Sequence, residues 1–397
     1  PPTLDSTMAA SMLSGSTLAL GGSAVRSSKE SIASRPIARA ATIKSTRRTS
    51  LVVQAKKTPD GPRVCIAGIT GAVGMELLKV LKERDFPYSS MKMLASARSA
   101  GKKVEFDGET YTVEELTEDS FGDCDIGLFS AGGSISKKYA PIASEAGCTV
   151  VDNSSAFRMV DGVPLCIPEV NPESCAGMKW GKGGIIANPN CSTIIALMAV
   201  TPLHKAATVK RMVASTYQAA SGAGQAAMEE LELQAREVLD GKEPTTTIFG
   251  RQYAFNLFSH NSDIDLAVGY NEEELKLVKE TAKIWNTNDV AVTATCIRVP
   301  VMRAHAESIN LEFENELDEN TAREILSKAP GVTVLDNREA NDFPTPLQAS
   351  NEDNVFVGRI RQDISRKDKK GLDIFVCGDQ IKKGAALNAV QCAELLL

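Results

Sequence analysis

Residues 63–74 read RVCIAGITGAVG, and this stretch decides the fold. Arg63 to Gly68 is a short, nearly continuous apolar run, the pattern of a strand buried on both faces. From Gly71 to Lys82 the apolar residues Val73, Leu77, Leu78 and Leu81 recur at helical spacing. Gly68, Ile69, Thr70, Gly71, Ala72, Val73 and Gly74 join or open the two elements. Glycines at such a junction let the chain turn tightly and bring backbone N–H groups at a helix N-terminus up to a pyrophosphate. The spacing is GxxGxxG rather than GxGxxG, so taken alone it is equally a plain turn. The strand-turn-helix setting favours a dinucleotide.

Working outward, the same alternation recurs. A strand over Ser90 to Ala95 ends in Ser96, Ala97, Arg98 and Ser99. Enzymes that use NAD commonly place an Asp or Glu here for the ribose 2′-hydroxyl. No acid is present, and Ser96, Arg98 and Ser99 suit a 2′-phosphate, so the reading prefers NADP(H); a solvated turn is the alternative. Asp125 to Ser130 forms a third strand and runs into the small-residue turn of Ala131, Gly132, Gly133 and Ser134. Val150 to Asn153 forms a fourth, leading to Arg158. Ligands of open parallel sheets sit at such strand ends. The fold class is therefore α/β, with a Rossmann-like doubly wound cofactor domain.

The N-terminal segment differs in kind. Residues 1–55 are rich in Ser, Thr and Ala and carry seven Arg and Lys residues against only Asp5 and Glu30. That composition reads as a disordered organelle transit peptide, for a plastid rather than a mitochondrion. Met8 looks like the natural start, and Val52 to Ala55 a removal site. About 340 residues remain, more than one core usually serves, so two domains are expected. The longest apolar run, Ile194 to Val200, falls well short of the roughly 18 residues of a membrane span. The net charge is -6 with no basic stripe, which argues against nucleic acid. The nine cysteines are scattered without a CxxC pair, which fits a reducing compartment and no metal cluster.

One of those cysteines stands out. Ile185 to Ala187 is a strand, Asn188-Pro189-Asn190 breaks it, and Thr193 to Val200 continues as an apolar helix. Cys191 thus falls at or near a helix N-terminus, where partial positive charge favours the reactive thiolate. An isolated cysteine would more often be a small core residue. Val209 to Tyr217 alternates as a strand ending at Gln218, followed by a helix from Gln225 to Leu239. Thr293 to Val299 and Glu307 to Phe313 alternate like two paired strands, which would set Arg298 and His305 face to face. An arginine there can fork onto a carboxylate. A histidine there can act as a general acid/base, although most single histidines are structural. A helix over Asn271 to Trp285 carries Leu275, Val278, Ala282 and Trp285 on one face, and Glu273 beside Lys276, at that spacing an ordinary exposed ion pair.

The sequence NPNCST around Cys191 resembles the nucleophile motif of the aspartate-semialdehyde dehydrogenases. The likeness continues through STYQAASGAG (215–224), CIRVPV (296–301) and RAHAES (303–308), in family order from about residue 62 onward. Ile69 stands where the family often has a small residue. The resemblance implies NADPH-dependent reductive dephosphorylation of L-aspartyl 4-phosphate to L-aspartate 4-semialdehyde through a cysteine thioester. That step serves lysine, threonine, methionine and isoleucine biosynthesis. It implies Cys191 as nucleophile, His305 as acid/base, and Gln218 orienting the adduct or a water, where spacing alone allows a cap. It places Arg298 on the substrate carboxylate and Glu273 on its ammonium. Phosphate would go to Lys276, Arg158 and Asn190. It brings Gln380 and the C-terminal segment into the cofactor pocket, and it implies a homodimer. The expected architecture is thus a cofactor domain over 60–189, completed by 371–397, and an α+β catalytic and dimerisation domain over 190–370. Two rivals share Cys191: a reductase of another acyl phosphate or acyl-CoA, and a non-catalytic NADPH-binding redox sensor.

Overall fold

The structure, a computed structural model, describes residues 57–397; the leader expected at residues 1–55 lies outside them. Two sheets organise the chain. The first is six-stranded and wholly parallel, in the spatial order Glu114–Glu115, Ser90–Ala95, Arg63–Ala67, Ile126–Phe129, Thr149–Asp152, Ile185–Ala187. Strand order reverses at Arg63–Ala67, so the crevice between its end and that of Ile126–Phe129 is the topological switch point. Alternate residues of this strand feed different cores. Val64 and Ile66 pack under the helix Ala72–Glu83, while Cys65 and Ala67 face Ala140 and Ala143 of the helix Gly133–Glu145. A sheet covered on both faces is what the unbroken apolar run predicts.

The second sheet has seven strands. Their order is Phe258–Ser259, Ala291–Arg298, Val209–Gln218, Ala304–Phe313, Gly371–Asp379, Val355–Gln362, Val332–Val334. Helices Cys191–Ala207, Glu272–Trp285 and Glu319–Ser327 bury one of its faces. The nucleophile helix runs past Val200 and through Pro202 to Ala207, longer than its apolar core alone indicates.

Three expectations need correction. The strands at 291–298 and 304–313 are not partners, because Val209–Gln218 lies between them, parallel to the first and antiparallel to the second. Alternation marks a strand and its buried face but carries no record of its neighbour. On Glu272–Trp285 the residues Leu275, Val278, Ala282 and Trp285 are only half-buried, and the buried face carries Glu273, Leu277, Glu280, Thr281 and Ile284. Polar groups occupy that face because it borders the site described below. Of the segment 371–397, Gly371–Asp379 belongs to the seven-stranded sheet. Only the residues beyond it, including Leu387, Val390 and Ala393, pack into the core of the parallel sheet.

Candidate active site

A cavity of about 310 Å³ opens where the two sheets meet. Val73, Ser130 and Gln380 line one side, Cys191 and Gln218 the middle, and Glu273, Lys276, Arg158 and Arg298 the other. Eight cysteines are buried, and Cys191 alone is half-exposed. It is the first residue of its helix. Asn190 caps that helix, its Oδ1 accepting from the N–H groups of Ser192 at 3.0 Å and Thr193 at 3.3 Å. A β-carbon on Gly384 would lie 3.0 Å from the Cys191 β-carbon, so the C-terminal segment passes directly beside the nucleophile.

His305 Nε2 stands 3.5 Å from Cys191 Sγ. The ring comes from the strand Ala304–Phe313, while Gln218 ends the strand beside it and Arg298 the strand beyond, in direct register with each other. Interposing Val209–Gln218 therefore assembles the three side chains across neighbouring strand ends rather than a pair facing across one turn. The amide of Gln218 is oriented from both ends: Thr216 Oγ1 donates to its Oε1 at 3.0 Å, and its Nε2 donates to Glu273 Oε1 at 3.1 Å. Gln218 is thus no cap.

Glu273 is buried and also accepts from Asn190 Nδ2 at 2.8 Å and Lys276 Nζ at 3.1 Å. Burial works against its charge, but Lys276, His260 and the two amides outweigh it and hold its pKa below the usual carboxylate range. The exposed ion pair that the spacing allows is instead one wall of the cavity. Arg298 donates Nε to Asn261 Oδ1 at 3.1 Å and Nη1 to the Ala219 carbonyl at 3.0 Å. No hydrogen bond to Nη2 is found among the described residues. A guanidinium held at two corners with the third free is suited to a carboxylate.

Arg158 is buried and donates to the carbonyls of Asn188 and Asn153 and to Glu280. Asn190 spends its Oδ1 and one amide proton on protein partners, leaving one proton for a ligand. Glu280 and His260 are functional-site residues that the sequence reading does not include. Glu280 lies seven residues after Glu273, two helical turns along the same face, which is the signal that would have found it. His260 lines the cavity, and burial, with the charge of Arg298, pushes its pKa down to about 4.

Burial, then Glu273, pushes the Cys191 thiol up to about 12, against the opposing pull of Arg158, Arg298 and the Ser192 N–H. Burial, then Arg298, pushes His305 down to about 3. Burial thus disfavours the charged form of both members of the pair.

The residues also fit a dinucleotide. Helices Ala72–Glu83 and Gly133–Glu145 begin at Gly71 and Gly132 without any side-chain cap, at the ends of adjacent parallel strands. Their first N–H groups are left to a ligand. Gly68 has φ +90, and a β-carbon there would come 2.4 Å from the Ser130 carbonyl oxygen, so only glycine closes this turn. Gln380 Oε1 is buried without a partner, an acceptor facing the same cavity. Ser96 and Arg98 are exposed and Ser99 is buried at the edge of the parallel sheet.

Two family models match the chain: semialdehyde dehydrogenase, NAD binding domain, over residues 63–178, and semialdehyde dehydrogenase, dimerisation domain, over 200–383. An aspartate-semialdehyde dehydrogenase of Synechocystis is 52% identical over 339 residues, spanning 85% of this chain and 98% of its own. The chain belongs to the aspartate-semialdehyde dehydrogenases. The family enzyme of Aquifex aeolicus is 50% identical, again over 85% of this chain and 98% of its own. Aspartate semialdehyde dehydrogenase II of Vibrio cholerae, solved as a complex with ASA, superposes with a TM-score of 0.80. It is 42% identical, covering 85% of this chain and 98% of its own. An oxidoreductase built on a nicotinamide cofactor is the family's shared activity, and the doubly wound domain with its mixed-sheet companion is the family's fold.

Proposed function

We propose that this protein reduces L-aspartyl 4-phosphate to L-aspartate 4-semialdehyde, using NADPH and a thioester on Cys191, in amino-acid biosynthesis. The observation that carries this reading is the composition of one cavity. It holds a half-exposed thiol at a helix N-terminus, an arginine with a free corner, a charged Glu273, and the cations Lys276 and Arg158. A substrate with a carboxylate, an ammonium and a phosphate needs those three kinds of partner. Arg298 takes the carboxylate, Glu273 the ammonium, and Lys276, Arg158 and the spare Asn190 proton the phosphate. Neither rival needs all of them at once: a reductase of another acyl phosphate has no use for Glu273, and a redox sensor none for Arg298.

Gly68, Thr70, Gly71, Ala72, Val73 and Gly74, with Ser130, Gly132 and Gly133, would cradle the pyrophosphate and nicotinamide ends of the cofactor. Gln380 would complete that pocket, and Ser96, Arg98 and Ser99 would hold the 2′-phosphate. Bound NADPH would supply the hydride. Cys191 attacks the acyl carbon, phosphate leaves, and Gln218 steadies the adduct. Covalent catalysis of this kind divides one hard displacement into two easier ones.

The decisive assay runs in reverse, mixing L-aspartate semialdehyde, phosphate and NADP⁺ with the wild type and with Cys191→Ser. Phosphate-dependent NADPH formation that disappears in the variant supports reaction and nucleophile together. A folded wild type that binds NADP⁺ and stays silent would reject the substrate.

Two further parts belong to the proposal. The protein acts as a homodimer through the open face of the seven-stranded sheet, where Tyr217 is exposed and packs 6.4 Å from Phe375. Residues 1–55 direct it to the plastid; fused to a fluorescent protein in plant cells, they should label plastids, and a diffuse cytosolic signal would overturn that part.

A further inference from the structure

Arg303 stands just before the strand Ala304–Phe313, whose first residue pairs with Asp379, the last of Gly371–Asp379. Its side chain turns back on that partner, and Nε donates to Asp379 Oδ2. Asp379 is fully buried, and its other hydrogen bonds among the described residues all come from backbone. Oδ1 accepts from the N–H groups of Ile381 at 2.9 Å and Lys382 at 2.8 Å, and Oδ2 from that of Asn351 at 2.6 Å. One carboxylate thereby shapes the turn that carries Gln380 and leads into the π-helical segment Lys382–Ala386. Such segments are rare and often lie at functional sites.

The same guanidinium faces the cofactor domain. Nη2 lies 3.1 Å from Glu76 Oε1. Glu76 is the fifth residue of the helix Ala72–Glu83, one turn in from the glycine junction, and it is buried. Buried charges are held by partners. Besides Arg303, Glu76 has only the half-exposed Lys79, at 3.4 Å, among the described residues. Nη2 makes no aligned hydrogen bond among them, so this contact is Coulombic, whereas the one to Asp379 is directional. Burial opposes the charge of Arg303, but Asp379 and Glu76 outweigh it and hold its pKa above the ordinary arginine value. Two other ties, Lys382 to Glu83 and Arg84 to Glu394, join the C-terminal segment to the far end of the helix, away from the glycines.

The backbone of Arg303 holds a third piece. Its carbonyl accepts from Ser221 Oγ at 2.7 Å, while the Met302 and Val301 carbonyls accept from the N–H groups of Ser221 at 3.0 Å and Ala220 at 2.8 Å. The turn Ala220–Ala223 is fastened by these bonds, and its Gly222 lines the cavity beside Arg298. Arg303 itself lies outside the lining.

Resting on the reading that the glycine junction and Gln380 hold the dinucleotide, we propose that Arg303 is a positioning residue for the cofactor. Its guanidinium, shared between Glu76 and Asp379, sets the spacing between the helix that receives the pyrophosphate and the turn that presents Gln380. Lysine could not replace it: a single ammonium is a point charge, whereas the planar fork offers Nε to one carboxylate and Nη2 to the other. Arg158 and Lys276, on the phosphate side, take no contact from Arg303 among the described residues, so loss of the guanidinium acts on the cofactor rather than on phosphate.

Binding without substrate tests this. Arg303→Met keeps the length of the side chain and removes its charge; Glu76→Gln makes a smaller change at the far partner. NADP⁺ and NAD⁺ are titrated by fluorescence quenching against the wild type, both variants and the double variant. Each single variant should raise the Kd of the preferred dinucleotide roughly tenfold. The double variant should bind no more weakly than Arg303→Met, because both changes break one link. Additive losses, or an unaltered Kd in Glu76→Gln, would overturn the proposal. Hydrogen exchange of the cofactor-free protein separates positioning from general stability. Arg303→Met should speed exchange over 72–83 and 379–386 and leave the strands Ile126–Phe129 and Val209–Gln218 protected; a uniform rise along the chain would make Arg303 an ordinary structural residue. In the reverse assay the KM for the dinucleotide should rise and that for phosphate stay unaltered, and equal rises would reject the role. Should Arg303→Met fail to fold, Glu76→Gln decides by itself. A wild type that binds a dinucleotide yet does not turn over aspartate semialdehyde would end the proposed reaction, while the binding and exchange results would still decide the role of Arg303.

Discussion

Arg158 Nη1 and Glu280 Oε1 meet at 3.0 Å with both side chains buried, joining positions 122 residues apart. The second oxygen of Glu280 accepts from the Asn190 N–H at 2.6 Å. One carboxylate thereby fixes both a proposed phosphate ligand and the residue that precedes the nucleophile. Burial pushes the Glu280 pKa up, and Arg158 with the Asn190 N–H opposes that shift. Glu280→Ala leaves a buried guanidinium unpaired, a change that costs about 3–5 kcal/mol. Urea unfolding should show that loss, and the KM for phosphate in the reverse assay should rise. Unchanged stability would mean that water replaces the carboxylate.

Arg98 is exposed at the sheet edge and forms no salt bridge among the described residues. Charge-assisted hydrogen bonds contribute about 1.5–3 kcal/mol. Arg98→Ala should therefore raise the KM for NADP⁺ roughly 10- to 100-fold and leave that for NAD⁺ nearly unaltered. Equal effects on both cofactors would remove Arg98 from the 2′-phosphate site.

Acid should destabilise the fold before it protonates the site. The native pKa of His305 is about 3 and that of His260 about 4, both below the ordinary histidine value of 6.5. Between those values the unfolded chain binds protons that the folded chain refuses. Stability is therefore complete above pH 6.5 and falls as pH drops toward 4 and then 3, by about 1.4 kcal/mol per pH unit for each ring. Denaturant titrations at several pH values should show that slope, and His260→Gln should remove one ring's share of it, while His204, also lowered by burial and Lys205, adds to it just below pH 6.5.

Gly384 is the third check on geometry. A β-carbon there is 3.0 Å from that of Cys191, closer than packed side chains normally come. Gly384→Ala must shift the nucleophile by a few tenths of an ångström, and kcat should fall about tenfold. Binding of NADP⁺, followed by fluorescence quenching, should separate that loss from a general failure to fold.

Much of this was legible in the residues. The run RVCIAG and its following glycines placed the first strand and the turn at its end, because past Arg63 a strand buried on both faces leaves no polar residue to confuse the pattern. Cys191 was placed by the helix-breaking Asn-Pro-Asn before it. What escaped was partnership. Nothing in Thr293–Val299 or Glu307–Phe313 says that Val209–Gln218 separates them, since a parallel pair joined across two helices leaves no local trace. The strand Val355–Gln362 was missed because its alternation breaks at Gly358 to Arg361, where the register slips and Arg359 takes φ +53. The opposing push on the Cys191 thiol was not legible, because a helix N-terminus is visible in sequence, whereas burial beside Glu273 is not.

The C-terminal segment that puts Gly384 against Cys191 also sends Lys383 into the interior, where it bonds Glu169, Asn388 and Gln391. Asn388 in turn reaches the Cys166 carbonyl and Asn188, beside the nucleophile loop. During synthesis Cys191 emerges long before these residues do, and N-terminal regions begin to fold first. The nascent chain therefore carries its thiol for nearly 200 residues of elongation without the wall that completes its pocket. Activity therefore waits until the segment around Gly384 has been made and has packed against Cys191.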